Sequence, residues 1–182
     1  TSISFDNQPY DVRKPEDLPS ALALNIENNS DIDFSKKYKF LNCRKILPDL
    51  MTGKVKIGEV NVIRNNDGII RKVAPFIKYK ENYYPHLSFI AGSNILTGSE
   101  NKNFVIDKNK NLKIGEYNNP LTKEGDLILN WYGVSGTHTV YPFYKVINSM
   151  ENGIENFDFK DKIIFIGTTA MSLHDTKSVP VR

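Results

Sequence analysis

The chain's 182 residues suffice for one domain with a hydrophobic core, and its 40% apolar content is ordinary for a folded protein. A net charge of +3, spread over lysines interleaved with Asp and Glu, argues against the concentrated basic face that nucleic-acid binding requires. No apolar run approaches the roughly 18–20 residues of a membrane span, Thr1–Phe5 lacks the make-up of a secretion signal, and the single cysteine, Cys43, excludes an internal disulfide. The piece in hand is therefore expected to be soluble, whether or not it comes from a membrane-anchored parent. Cys43 has no companion cysteine and reads as a small buried residue rather than a zinc ligand.

In chain order, residues 1–44 form an irregular leading part, with a short strand at Ser2–Phe5, two prolines between Asp11 and Pro19, and a polar loop over Glu27–Asp33. From Lys45 the signals sharpen. Ile46–Met51 predicts a short helix and Glu59–Arg64 a strand. Asn65–Gly68 predicts a tight turn, because Asn, Asp and Gly tolerate positive φ, and a second strand over Ile69–Lys80 answers the first. Pro75 gives that strand an edge position or a bulge. A helix follows Pro85, with Leu87, Ile90, Ala91 and Ile95 on one face.

Asn103–Ile114 reads as a hairpin turning on Lys108–Asn111. Asp126–Tyr132 predicts a strand ending at Gly133, and Ser135–Thr139 a loop. Pro142 opens a helix that closes near Gly153, and Lys162–Ile166 is the last predicted strand. Two apolar strands separated by a helix imply a parallel strand-helix-strand core. The expected fold class is α/β: a mixed sheet with that core, added antiparallel hairpins, and helices packed on the sheet.

Three segments in order carry a resemblance: residues 57–76 (IGEVNVIRNNDGIIRKVAPF), 125–149 (GDLILNWYGVSGTHTVYPFYKVINS) and 159–180 (FKDKIIFIGTTAMSLHDTKSVP). Together they resemble the second type of CHASE domain, the cyclase/histidine-kinase-associated sensory extracellular domain. The structural motif positions are the Asp67-Gly68 turn with Arg71, the strand end Asn130, Tyr132 and Gly133, and Pro180. Asp161 stands where the family pattern has a glycine before its Lys-Ile-Val run. The resemblance covers residues 45–180, as the body of one sensory domain spanning 1–182 with both flanks trimmed. It implies an extracytoplasmic part of a plasma-membrane protein, periplasmic or at the cell surface. The partners implied are an unknown small molecule or a periplasmic protein, flanking transmembrane helices in the parent, and a homodimer.

The candidate ligand-binding residues are Gly133, Gly167, Thr168, Thr169, Asp175 and Arg71. A strand entering Gly167-Thr168-Thr169 can offer backbone N–H groups to an anion, and ligands of open α/β sheets sit beyond strand ends. The plainer reading is that Gly167 merely lets the chain turn, since no Gly-x-Gly-x-x-Gly or Walker lysine accompanies it. His174 beside Asp175 suggests catalysis, but adjacent loop residues rarely converge on one substrate proton, and Asp175 also suits a loop cap. His86 and His138 lack metal-binding spacing. The reading names no catalytic residue, no metal and no cofactor. Two functions stand: a sensor domain of a cyclase or histidine-kinase receptor, or a small soluble α/β hydrolase or phosphate-handling enzyme using Thr168, Thr169, His174 and Asp175.

Overall fold

The structure is a computed structural model and describes residues 2–6, 23–35, 42–44, 58–62, 64–98, 103–134, 136–153, 157–167 and 180. The helix predicted at Ile46–Met51 lies outside them. The described chain contains eleven strands and two helices. Contacts divide it into one unit of residues 1–65 with 71–129 and a second of 66–70 with 130–182.

In the first unit, β1 (Ser2–Asp6) lies between β3 (Asn42–Arg44), antiparallel to it, and β4 (Gly58–Glu59), parallel to it. A second sheet runs β10 (Tyr117–Pro120), β9 (Asn111–Ile114), β8 (Asn103–Ile106), β2 (Asn25–Asn28). Its β2–β8 pair is parallel, in register from Asn25↔Asn103 to Asn28↔Ile106. Two small ladders complete the unit: β5 (Lys72–Val73) with β11 (Leu127–Ile128), and β6 (Phe76–Tyr79) with β7 (Asn82–Pro85). The first helix, α1 (Leu87–Thr97), lies in the connection between the parallel strands β2 and β8 and packs on β4 and β9.

The fold class is thus the expected one, α/β with mixed sheets, antiparallel hairpins and a helix against the strands. Its parallel pairs are β1–β4 and β2–β8 rather than Asp126–Tyr132 with Lys162–Ile166. Of the first predicted strand only Leu127–Ile128 enters a ladder, antiparallel to β5. Residues 162–166 form no strand, and Phe165 and Ile166 are 87% and 81% exposed. The chain before them folds into a local turn instead: Lys162 N donates to Phe159 O at 3.3 Å and Lys162 Nζ reaches Asp158 Oδ2 at 3.2 Å. An apolar run becomes a strand only beside a partner ladder, which the run itself does not specify.

Other boundaries shift for similar reasons. Asn65–Gly68 does turn, with Gly68 at φ 78° and Asp67 Oδ1 accepting Ile69 N–H at 3.0 Å. It joins no hairpin, because β4 pairs with β1 and β5 with β11. The predicted strand Ile69–Lys80 breaks into β5 and β6 at Ala74-Pro75, where Pro75 contributes its carbonyl to His86 N–H at 2.9 Å. Glu27 and Asn28, expected in a loop, belong to β2. The hairpin β8–β9 matches its prediction, and β10 extends it through a turn at Gly115. On α1 the buried side chains are Phe89 and Ser93, whereas Ile95, one of the four residues expected to share a face, is 55% exposed.

The core of this unit is an aromatic chain between the sheets and α1. Phe34 meets Phe76 at 5.0 Å, Phe76 meets Phe89 at 6.4 Å, and Phe89 meets Phe104 at 5.0 Å. Ile106 and Leu112 lie fully buried beside it. Off-centre, tilted ring pairs of this kind add to the burial energy of the rings themselves.

The second unit contains α2 (Phe143–Asn152), capped as the sequence predicts between Pro142 and Gly153, the latter at φ 65°. There Trp131 Nε1 donates to Ile70 O at 3.1 Å, and Tyr141 packs edge-on against Phe157 at 4.9 Å.

Candidate functional site

Among the described residues, the densest buried ionisable chemistry lies where β4 meets the start of α1. The sequence makes this approach possible at one residue. A Cβ on Gly58 would come within 2.6 Å of Leu87 N and closer still to Leu87 Cα, so only glycine lets the strand lie against the helix backbone. Glu59 follows and pairs with Ile3 of β1 on one side and, through an isolated parallel bridge, with His86 on the other.

Glu59 is completely buried. Its Oε2 accepts Asn61 N–H at 2.6 Å, and its Oε1 has no hydrogen-bond partner. One donor does not replace the water a carboxylate loses on burial, so desolvation pushes its pKa up to about 8 against the pull of the Asn61 bond. At neutral pH Glu59 is therefore mostly a neutral acid.

His86 is half-buried and caps α1. Its Nδ1 accepts Ser88 N–H at 3.3 Å and lies 2.7 Å from Ser88 Oγ. As Nδ1 accepts, the ring proton is assigned to Nε2. Burial pulls the His86 pKa below its ordinary value, which keeps the ring neutral. A Ser–His contact beside a carboxylic acid invites comparison with a nucleophile-base-acid arrangement. The hydrogen bonds describe something else: Nδ1 is engaged by the helix backbone, and Glu59 Oε1 bonds to nothing, so no carboxylate orients the ring. The assembly is a helix cap set against a buried acid.

A second buried carboxyl group is paired with a cation. Lys72 Nζ meets Asp126 Oδ2 at 3.1 Å in the β5–β11 ladder region. The tight turn before Asp126 is closed by Gly125 N to Thr122 O at 2.8 Å and by Asp126 N to Thr122 Oγ1 at 3.1 Å. This pair ties β5 to the turn that leads into β11. Among the described residues no set of three or more His, Cys, Asp or Glu side chains is placed to hold a metal ion.

The residues singled out in the sequence fall as follows. Gly133 has φ 136°, and a Cβ there would meet Thr137 Oγ1 at 2.6 Å. Gly167 is exposed with open space around it. Thr168, Thr169, His174 and Asp175 lie outside the described residues, and Pro180 is exposed. Arg71 is half-buried at the edge of β5, its carbonyl accepting Leu129 N–H at 2.9 Å. Asn130 is exposed and Tyr132 is 80% exposed. Sequence reasoning passed over Glu59 and His86 as ligand or catalytic candidates. The written signal was an acidic residue directly after a glycine, set between Ile57 and Val60.

Asp161, at the position where the resemblance expects glycine, adopts φ 57°, the left-handed region that glycine occupies without cost. The backbone thus keeps a conformation that suits the residue it lacks. The family model for the CHASE2 domain matches residues 3–182. The chain belongs to the CHASE2 domain family. The match takes in the leading segment as well as residues 45–180, so β1 and β2 are parts of the CHASE2 region. CHASE2 domains are extracellular sensory domains found in cyclase and kinase signalling proteins. No curated protein and no solved structure matches the chain. No helix of the described residues is long and apolar enough to cross a membrane.

Proposed function

We propose that this chain is the extracytoplasmic sensor of a bacterial transmembrane receptor whose cytoplasmic output is a nucleotide cyclase or a histidine kinase. The observation that carries this reading is the CHASE2 match across residues 3–182. The sensor works by shape. A stimulus, either a small molecule or a periplasmic protein, binds one of two conformations more tightly and shifts their populations; the adjoining transmembrane helices register that shift. Equal affinity for both states would transmit nothing. The cap-bound His86 and the Glu59 acid beside it activate no nucleophile at this joint; Thr168, Thr169, His174 and Asp175, on which a hydrolase would rest, lie outside the described residues.

Topology tests it directly. In spheroplasts carrying the parent receptor, protease added outside should cut this domain while the output domain survives. In inverted vesicles the domain should be protected. Cleavage only in inverted vesicles would place the domain in the cytoplasm and overturn the proposal.

A further inference from the structure

We propose that Glu59 is a proton-operated latch at the joint of β1, β4 and the start of α1: with its proton the joint stays closed, and without it the joint loosens. The inference goes beyond the sensory reading and does not depend on it.

The joint has no slack. Gly58 touches the Leu87 backbone, Glu59 bridges to His86, and His86 N–H is tied to Pro75 O at 2.9 Å. Into this sealed place the chain puts a carboxyl group with a single hydrogen bond, from Asn61, and one oxygen with no partner. A neutral carboxyl tolerates such a site; an anion there lacks the donors or the cation that would replace its water. Among the described residues, the elements packed on β4 offer no compensating charge. Residues 87–97 of α1 include no ionisable side chain, and β7 brings only Tyr83 and Tyr84. The ionisable residue of β1 is Asp6, at the far end of the strand opposite Asn42. Among the described residues His86 is the base beside it, and burial disfavours its cation. Deprotonation therefore leaves two outcomes: the site opens to water, or the strand and helix end separate.

The sign follows from linkage. Glu59 has a raised pKa in the folded chain, about 8 against 4.5 for the free group, so the folded state holds the proton longer. Its contribution is fully present below about pH 4.5 and is lost progressively as pH rises through about 8, at close to tenfold in the folding equilibrium per pH unit.

The test uses the 182-residue chain. The carboxyl of Glu59 is followed by 13C NMR from pH 4 to 9, and urea unfolding is measured over the same range for wild type, Glu59→Gln and His86→Asn. The protection of Ile90 N–H, which donates to His86 O at 3.1 Å, is read by hydrogen exchange corrected for intrinsic rate. The expected result is a Glu59 midpoint near 8, a falling stability limb present in wild type and His86→Asn but absent in Glu59→Gln, and loss of Ile90 protection above the midpoint only where Glu59 is present. A Glu59 midpoint near 4.5, an unchanged limb in Glu59→Gln, or a limb lost in His86→Asn would overturn the latch. Should Glu59→Gln not fold, the wild-type NMR titration decides alone.

Discussion

At the scale of single residues, two glycine positions bear on the fold in opposite ways. Gly58 is required by space: any side chain there collides with the Leu87 backbone, which has no flexible end to yield. Asp161 is the reverse, a residue with a side chain held at φ 57°. The left-handed region costs an L-residue roughly 1–2 kcal/mol, though Asp tolerates it better than most. Asp161→Gly is therefore expected to stabilise the folded chain by about 0.5–1 kcal/mol, after glycine's greater entropy in the unfolded state is deducted. Urea unfolding of the two chains measures it; a destabilised variant would show that the Asp161 side chain supplies more than the backbone strain removes. The departure from the family pattern was visible in the sequence, whereas its backbone conformation was not.

At the scale of elements, legibility followed the range of the forces involved. Helix α2 was readable because its two ends are written locally, in Pro142 and Gly153. The β8–β9 hairpin was readable because Asp107 organises its own turn: Oδ1 accepts Asn109 N–H at 2.9 Å and Asn111 N–H at 2.8 Å. The β2–β8 pairing joins Asn25 to Asn103, and no local pattern announces it. Asp126–Tyr132 and Lys162–Ile166 carry good strand composition, yet only Leu127–Ile128 found a ladder. Position on a helix was equally hard to read: α1 is apolar nearly all round, so periodicity could not choose Phe89 and Ser93 over Leu87 and Ile95 as its inner face. The candidate site suffered most, because the burial of Glu59 is a product of three elements separated in sequence. Where the packing is long-range, its energy is testable. Leu112 on β9 is fully buried in the cluster that holds Phe34, Phe76 and Phe89. Leu112→Ala should cost about 2–5 kcal/mol, the range for an aliphatic side chain removed from a packed interior. A thermal or urea midpoint near wild type would show that this core is loosely packed.

At the scale of the whole molecule, carboxylates define the acid side of stability as Glu59 defines the alkaline side. The hydrogen bond and ion pair from Lys110, 3.0 Å from Asp31 Oδ1, hold Asp31 below its ordinary pKa. Asn111 N–H does the same for Asp107, and Lys162 for Asp158. Groups with depressed folded pKa values contribute stability above their unfolded pKa and lose it as pH falls through the folded one. Urea midpoints measured from pH 3 to 9 should therefore peak on the acid side of neutrality, near pH 5, with decline on both sides. A plateau extending from pH 5 to 9 would contradict the alkaline limb, and no decline below pH 4 would contradict the acid one. Asp31 and Asp158 are exposed and Asp107 is half-buried, so added salt should soften that limb more than the one set by fully buried Glu59.

The strand order β10-β9-β8-β2 leaves β10 as a border of its sheet, and β10 closes on Pro120. Leu121 N–H points inward to Lys110 O at 2.8 Å, and on its other side Leu121 pairs antiparallel with Leu127, so the chain itself lies along the Pro120 end of that border. A foreign strand laid along that border meets the chain's own Leu127 segment at this end, beside a Pro120 nitrogen that has no hydrogen to donate. Neighbouring copies are thereby hindered from fusing into continuous ribbons at this margin, because only the short stretch of β10 before Pro120 is left for another backbone to join.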